Sequence, residues 1–428
     1  MSSFDDQPPR AVANEIASML AHRGMVENRR ATLAVPEAER IVADLIDLAP
    51  GRSDLELEDE LCARVGARIY EWEVGPLDDI VGPDIMAASM ITAAAAAVRT
   101  ALEASSGPDG WQASWRVLTA AIGIVPFSFR DKADQAVREL RGSPGGRELP
   151  GLTDRHTVTG SVLWTRNTYG NRFGIAAPIS TAGAPHRWYL WDIDGCGHLV
   201  ATVYSGYFPT SESALAAWRE GVGESTAVES SFGPVDDLVL LAELLPGEEG
   251  FIRMGGESQE QLVEYHRCRR LAECVIDAVD SAGVVDSAEL GAGVQGAEVS
   301  VGSVVEEFTA WLLAHRSGAQ PHAGPDDSVA GLDELVAELA ESWNLERPAA
   351  LYNICSPHRL TQVTAHLRNY YVADFAEQLV ALLPEWIFWL AERNGTPDDL
   401  VDRSQRTIED IRANPGDQRD TTYDRVIE

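Results

Sequence analysis

Between residues 157 and 223 the spacing of apolar side chains switches from a helical period to an alternation of two, then reverts after Thr210. A segment with that alternation presents its two faces separately and does not settle as a helix. Residues 157–165, 173–179, 187–193 and 198–207 read as strands, joined by tight-turn sequences at 167–171 (Asn-Thr-Tyr-Gly-Asn) and 194–197 (Asp-Gly-Cys-Gly). In the third strand Trp188, Leu190 and Asp192 alternate with Tyr189, Trp191 and Ile193. Bulky apolar groups on both faces predict a central strand covered on both sides. Thr210 caps a following helix through Leu215, Trp218 and Val222. The stretch therefore reads as a β-meander closed by an amphipathic helix.

Both flanks are helical. Upstream, the stripe Leu57, Leu61, Val65, Ile69 follows Ser53, and an alanine-rich run after Gly82-Pro83-Asp84 reads as the packed central helix of a bundle. Trp111, Trp115, Leu118 and Ile122 repeat at helical spacing, as core residues do. Downstream, the segment 329–412 carries Leu335, Val336, Leu339, then Leu360, Val363, Leu367, then a stripe ending at Leu383, with Pro384 read as the first turn of another helix. The expected class is α+β: an N-terminal helical bundle (11–140), a linker (141–150), a central antiparallel β-meander with a packed helix (151–250), a helical connector (251–316), a second linker (317–328) and a C-terminal helical domain (329–412). Residues 1–10 and 413–428 read as a disordered start and tail.

Charge and rare residues exclude several chemistries. The formal charge is −33, from 34 basic and 67 acidic residues, which disfavours broad-face binding of a polyanion. Lys132 is the only lysine, in keeping with a GC-rich bacterial genome, and no glycine loop precedes it, which nearly excludes a P-loop NTPase and a Schiff-base enzyme. The five cysteines are scattered, and the chain starts with an acidic segment lacking an apolar run, so a reduced, cytoplasmic location is expected without membrane insertion.

Four segments carry candidate chemistry. Asp192-Ile193-Asp194-Gly195 after an apolar strand resembles the first motif of haloacid-dehalogenase-type phosphotransferases, which implies a nucleophile at Asp192 and a general acid at Asp194. Cys196 stands where that family has threonine or valine, no lysine follows Asp194, and the plain alternative is a hairpin turn. The same turn offers Asp192, Asp194, Cys196 and His198 as metal ligands, with His186 or the His266/Cys268 pair as a second segment. Gly291, Gly293 and Gly296 match a dinucleotide fingerprint by letter but lack the preceding strand. Cys355 and His358 place a thiol near an imidazole, and Arg347, Arg359, His366 and Arg368 make a locally basic island at 344–371 able to meet a nucleic acid.

No cofactor signature stands in its expected context. The leading expectation is a non-enzymatic interaction or regulatory protein that binds a protein partner or itself. The alternatives are a nucleic-acid-associated protein using the island 344–371, and a metal-dependent hydrolase or phosphatase built on Asp192 and Asp194.

Overall fold

A computed structural model describes residues 9–75, 80–104, 110–152, 155–181, 185–196, 200–223, 227, 230–247, 257–281, 300–318, 329–344 and 348–414. Its contacts group into two units: Met1–Thr157 with Ser180–His186 and Arg253–Cys274, and Val158–Ile179 with Arg187–Ile252 and Val275–Glu428. His198, Arg347, the glycine run 291–296, most of 317–328 and nearly all of the expected disordered ends lie outside the described residues.

The first unit is helical: α1 (Pro9–Leu48), α2 (Asp54–Glu73), α3 (Pro83–Ala104), α4 (Gln112–Ile124) and α5 (Arg130–Gly142). Pro50 and Gly51 end α1 in a 3-10 turn, and Ser53 and Glu56 then form a reciprocal capping box that starts α2. The alanine-rich α3 packs against the four other helices, because small side chains let neighbours come close. It is the one described helix long and apolar enough to cross a membrane, and half of its apolar window is buried within the protein. Trp111 and Trp115 are core residues, as their spacing predicts.

The first part of a later helix, α8 (Gln259–Ser281), also belongs to this unit, through Cys274. It carries His266, buried, with its Nε2 3.6 Å from Asp84 Oδ1. Burial pushes the His266 pKa down, partly offset by Asp84, and the nearby His266 pulls Asp84 down. Both groups bind fewer protons folded than unfolded, so the stability they contribute is present above their unfolded values and lost as pH falls. The loss starts below about 6.5 for the histidine and about 3.9 for the aspartate. Melting temperature is expected to drop on acidification from neutrality, and His266→Gln to flatten that slope in a thermal melt series. An equal slope in both proteins contradicts the assignment.

A six-stranded sheet has the order β5-β4-β3-β2-β6, with β1 (His156–Val158) pairing β3; all of it but most of β1 and the end of β3 belongs to the second unit. The other strands are β2 (Leu163–Arg166), β3 (Arg172–Thr181), β4 (Arg187–Asp194), β5 (Ala201–Phe208) and β6 (Gly233–Pro234). The first expected strand is thus two short ones, and the meander β2–β5 is antiparallel throughout. β4 is interior to the sheet, with six consecutive buried residues from Tyr189 to Asp194, as its two-faced apolar pattern predicts. The helix α6 (Ser211–Val222) starts at a Thr210 cap and lays Ala214, Trp218 and Val222 against Leu190. Gly174 on β3 makes room for Trp218: a Cβ there would lie 2.9 Å from the indole.

After α7 (Leu238–Leu244) and the end of α8, the C-terminal helices are α9 (Val301–Gly318), α10 (Val329–Asn344), α11 (Pro357–Tyr370), α12 (Ala373–Asn394) and α13 (Asp398–Ala413). They enclose a core around Phe308, Trp343, Trp386 and Trp389. Pro384 does not open a new helix but lies inside α12. An internal proline costs a helix about 3 kcal/mol. The buried stripe Leu379, Leu383, Trp386, Leu390 runs straight past it and offsets that cost, and the Pro384 carbonyl still gains a bond from Gln405.

Candidate metal centre

The turn at the end of β4 and the start of α11 meet in the second unit. The β2–β3 connection sets one side: Asn167 Oδ1 accepts the N–H groups of Asn171 (3.1 Å) and Arg172 (3.2 Å), and Gly170 adopts φ +77°. The Asn171 carbonyl in turn accepts Gly195 N–H at 2.8 Å. The turn packs closely there: a Cβ at Gly195 would stand 2.5 Å from Leu351 Cδ1, so a larger residue requires that leucine to shift. The turn then closes on its own acid, with Cys196 N–H donating to Asp194 Oδ1 at 2.6 Å.

Ser356 caps α11, accepting Arg359 N–H at 3.2 Å, and Pro357 occupies the first turn. This puts His358 in that first turn, its Nδ1 3.2 Å from Asp194 Oδ2. The carboxylate therefore sits at the positive end of the helix. Asp194, Cys196 and His358 each offer one ligand atom, and the three atoms lie within 4.8 Å of one another. Asp194 is 1% exposed and Cys196 4% exposed, while His358 is half-buried.

Ser356 completes the surroundings. Its Oγ accepts from Asn171 Nδ2 (2.6 Å) and from Arg359 N–H, and it lies 3.4 Å from Cys196 Sγ. A hydroxyl with both lone pairs engaged has only its proton left to offer, so it donates to the sulfur. Burial, followed by the Asp194 charge, pushes the Cys196 thiol well above its ordinary value, with Ser356 and Arg359 pulling the other way. A protonated, enclosed thiol is a poor nucleophile. A bound cation would reverse this, because metals take cysteine as thiolate.

The other sequence candidates fall elsewhere. Asp192 is committed to Arg172, which grips it with Nε (2.8 Å) and Nη2 (2.7 Å) in a buried bidentate pair. Burial pushes the Asp192 pKa up, against the pull of Arg172. His186 is exposed, His266 pairs with Asp84, and Cys268 Sγ contacts the Tyr265 carbonyl. Cys355 is enclosed in the C-terminal core, its thiol pushed up to about 12 by burial, while His358 faces the β4 turn. Arg359 is 1% exposed and donates to four backbone carbonyls, out of reach of a phosphate. Arg368 pairs with Glu377, and His366 stacks on Tyr370. Sequence reasoning nominated Asp194, Cys196 and His358, but the histidine for a different role. Ser356, Asn171 and Arg172 it missed, although Ser356-Pro357 is a readable helix start.

Comparison with protein-family models, curated proteins and solved structures finds nothing that matches the chain.

Proposed function

We propose that the chain is a cytoplasmic metal-binding protein in which Asp194, Cys196 and His358 hold one zinc-type divalent ion, and that the ion serves as a structural clasp in a non-enzymatic interaction or regulatory protein. The convergence of these three donors carries the reading. A thiolate, an imidazole and a carboxylate together suit zinc among the abundant divalent ions. Ligand atoms around a tetrahedral zinc are spaced by about 3.3–3.7 Å, as its bond lengths require. The His358–Asp194 pair is already at 3.2 Å. Ser356 beside the sulfur and Cys196 N–H on the carboxylate are the kind of outer contacts that orient metal ligands. The burial of two of the three ligands favours a structural ion over an open catalytic one. All five cysteines are unbridged, in line with a reducing compartment.

The test is metal analysis of the full chain followed by cobalt and zinc titration of the chelator-treated protein. One equivalent is expected, with a thiolate-to-cobalt charge-transfer band that Cys196→Ser abolishes and Cys274→Ser retains. His358→Ala is expected to weaken zinc by more than about 100-fold, beyond the usual loss for an outer-shell contact. Absence of saturable binding, or a band that survives Cys196→Ser, overturns the proposal.

One observation favours a second reading: three protein ligands, rather than four, is the count of catalytic zinc sites. A hydrolase then predicts turnover of p-nitrophenyl acetate or p-nitrophenyl phosphate by the zinc-loaded protein, lost with His358→Ala. Zinc binding without turnover leaves the structural clasp.

A further inference from the structure

The first unit contains a cavity of about 360 Å³ between α4, α5, the turn before α5 and the residues Gly151, Leu152 and Arg155. That volume lies at the lower end of the range for small-molecule sites. Its lining opposes the charge of the chain. The protein carries −33, yet the cavity wall bears Arg116, Arg130, Arg155 and Arg270 against Asp54 and Asp134, a local balance of +2 (four minus two). An excess of cationic groups around a concavity favours an anionic ligand there.

The four arginines divide into two kinds. Arg116 and Arg155 are braces: Arg116 bonds Asp54 Oδ1 and the carbonyls of Ala49 and Arg52, and Arg155 bonds Thr119 Oγ1 and the Asp54 carbonyl. Arg130 and Arg270 instead converge on one aromatic ring. Their guanidinium carbons lie 5.4 Å and 3.9 Å from the centroid of Phe127. Arg270 is paired with Glu273 at 3.6 Å, and the same carboxylate accepts the Phe127 N–H at 3.0 and 2.8 Å, which ties the arginine to the turn before α5. Arg130 is exposed at the mouth. It is the first residue of α5, a helix that begins at Phe129 with no side-chain cap and carries Asp131 in its first turn. Trp115, Phe127 and Phe129 supply flat apolar wall beside these cations.

We propose that this cavity binds a small organic anion, a flat apolar body bearing one carboxylate or phosphate group, with the anion between Arg130 and Arg270 and the body against Phe127 and Trp115. An anion beside the exposed Arg130 gains a charged partner, and Arg270, over the same ring, adds to the attraction. Aromatic walls beside a few placed polar groups are the usual make-up of a small-molecule site. The inference is independent of the metal centre, whose ligands all belong to the second unit.

Isothermal titration of the full chain with benzoate, phenyl phosphate, benzyl alcohol and benzylamine tests it. At least one of the two anions is expected to bind saturably at millimolar concentration or below, more weakly at high salt, while the alcohol and the amine do not bind. Benzoate against phenyl phosphate separates a carboxylate ligand from a phosphate ligand. Arg130→Gln, a change at an exposed position that leaves the core intact, is expected to weaken the anion by about tenfold, the scale of one charged hydrogen bond. Equal binding of benzyl alcohol, failure of both anions, or unchanged affinity in Arg130→Gln overturns the proposal.

Discussion

Replacing Arg359 by leucine is expected to destabilise the second unit by about 3–5 kcal/mol, the scale of removing one partner from a buried charged network. The guanidinium is 1% exposed and lies 4.1 Å over the Trp343 ring. Its Nη1 donates to the carbonyls of Leu351 (2.6 Å), Tyr352 (3.2 Å) and Ile354 (2.7 Å), and its Nη2 to that of Trp343 (2.8 Å). These carbonyls belong to the end of α10 and the irregular segment before α11, where the backbone lacks a ladder to satisfy them. Leucine fills much of the space but offers no donor, and each buried acceptor left bare costs about 1–3 kcal/mol. The Tyr352 carbonyl keeps Trp343 Nε1 and the Leu351 carbonyl keeps Ile354 N–H, so the costs do not simply add. Lysine is no substitute, since a compact ammonium cannot span carbonyls that a planar fork reaches together. Urea denaturation of Arg359→Leu and Arg359→Lys measures this. A loss under about 1 kcal/mol in both would show that water replaces the arginine easily.

The second large effect concerns α2 and α8 in the first unit. Gly66 on α2 meets the backbone of α8 directly: a Cβ there would stand 2.5 Å from both Val263 Cα and Val263 N, and 2.8 Å from Leu262 C. A flexible side chain would swing aside, but a helix backbone moves only as a whole. Gly66→Ala is expected to cost about 3 kcal/mol, at the upper end for overpacking, despite the better helix propensity of alanine. Gly142, at the end of α5, faces open space. The same substitution there is expected to be neutral or to stabilise by up to about 1 kcal/mol through the unfolded chain. Paired melts decide the matter: equal shifts for the two variants would remove the close approach as an explanation.

The local parts of the fold were legible because they rest on local physics. The period change at residue 157, the Asn167–Asn171 turn, the Ser53 and Thr210 caps and the covered β4 strand follow from spacing and side-chain chemistry. Pro384 misled because the sequence shows the missing donor but not the buried stripe that holds α12 together around it. The site was half legible. Asp194 and Cys196 crowd one turn and attract notice together. His358 comes from a helix start about 160 residues away, so its partner is a property of packing alone. Arg359 shows the same limit from the other direction. In a string of letters it looks like part of a basic patch, and only burial reveals it as a brace for carbonyls.

That separation also has a consequence for the order in which the protein is made. Cys196 and Ser356 lie 160 positions apart. At about 5–20 residues per second a ribosome takes roughly 8–30 s to bridge that gap. During this interval the β4 turn has emerged with its aspartate and thiol, while the cap and imidazole that meet them do not yet exist. The nascent hairpin therefore offers at most part of a chelate, and the complete pocket belongs only to a chain that has been synthesised at least through α11.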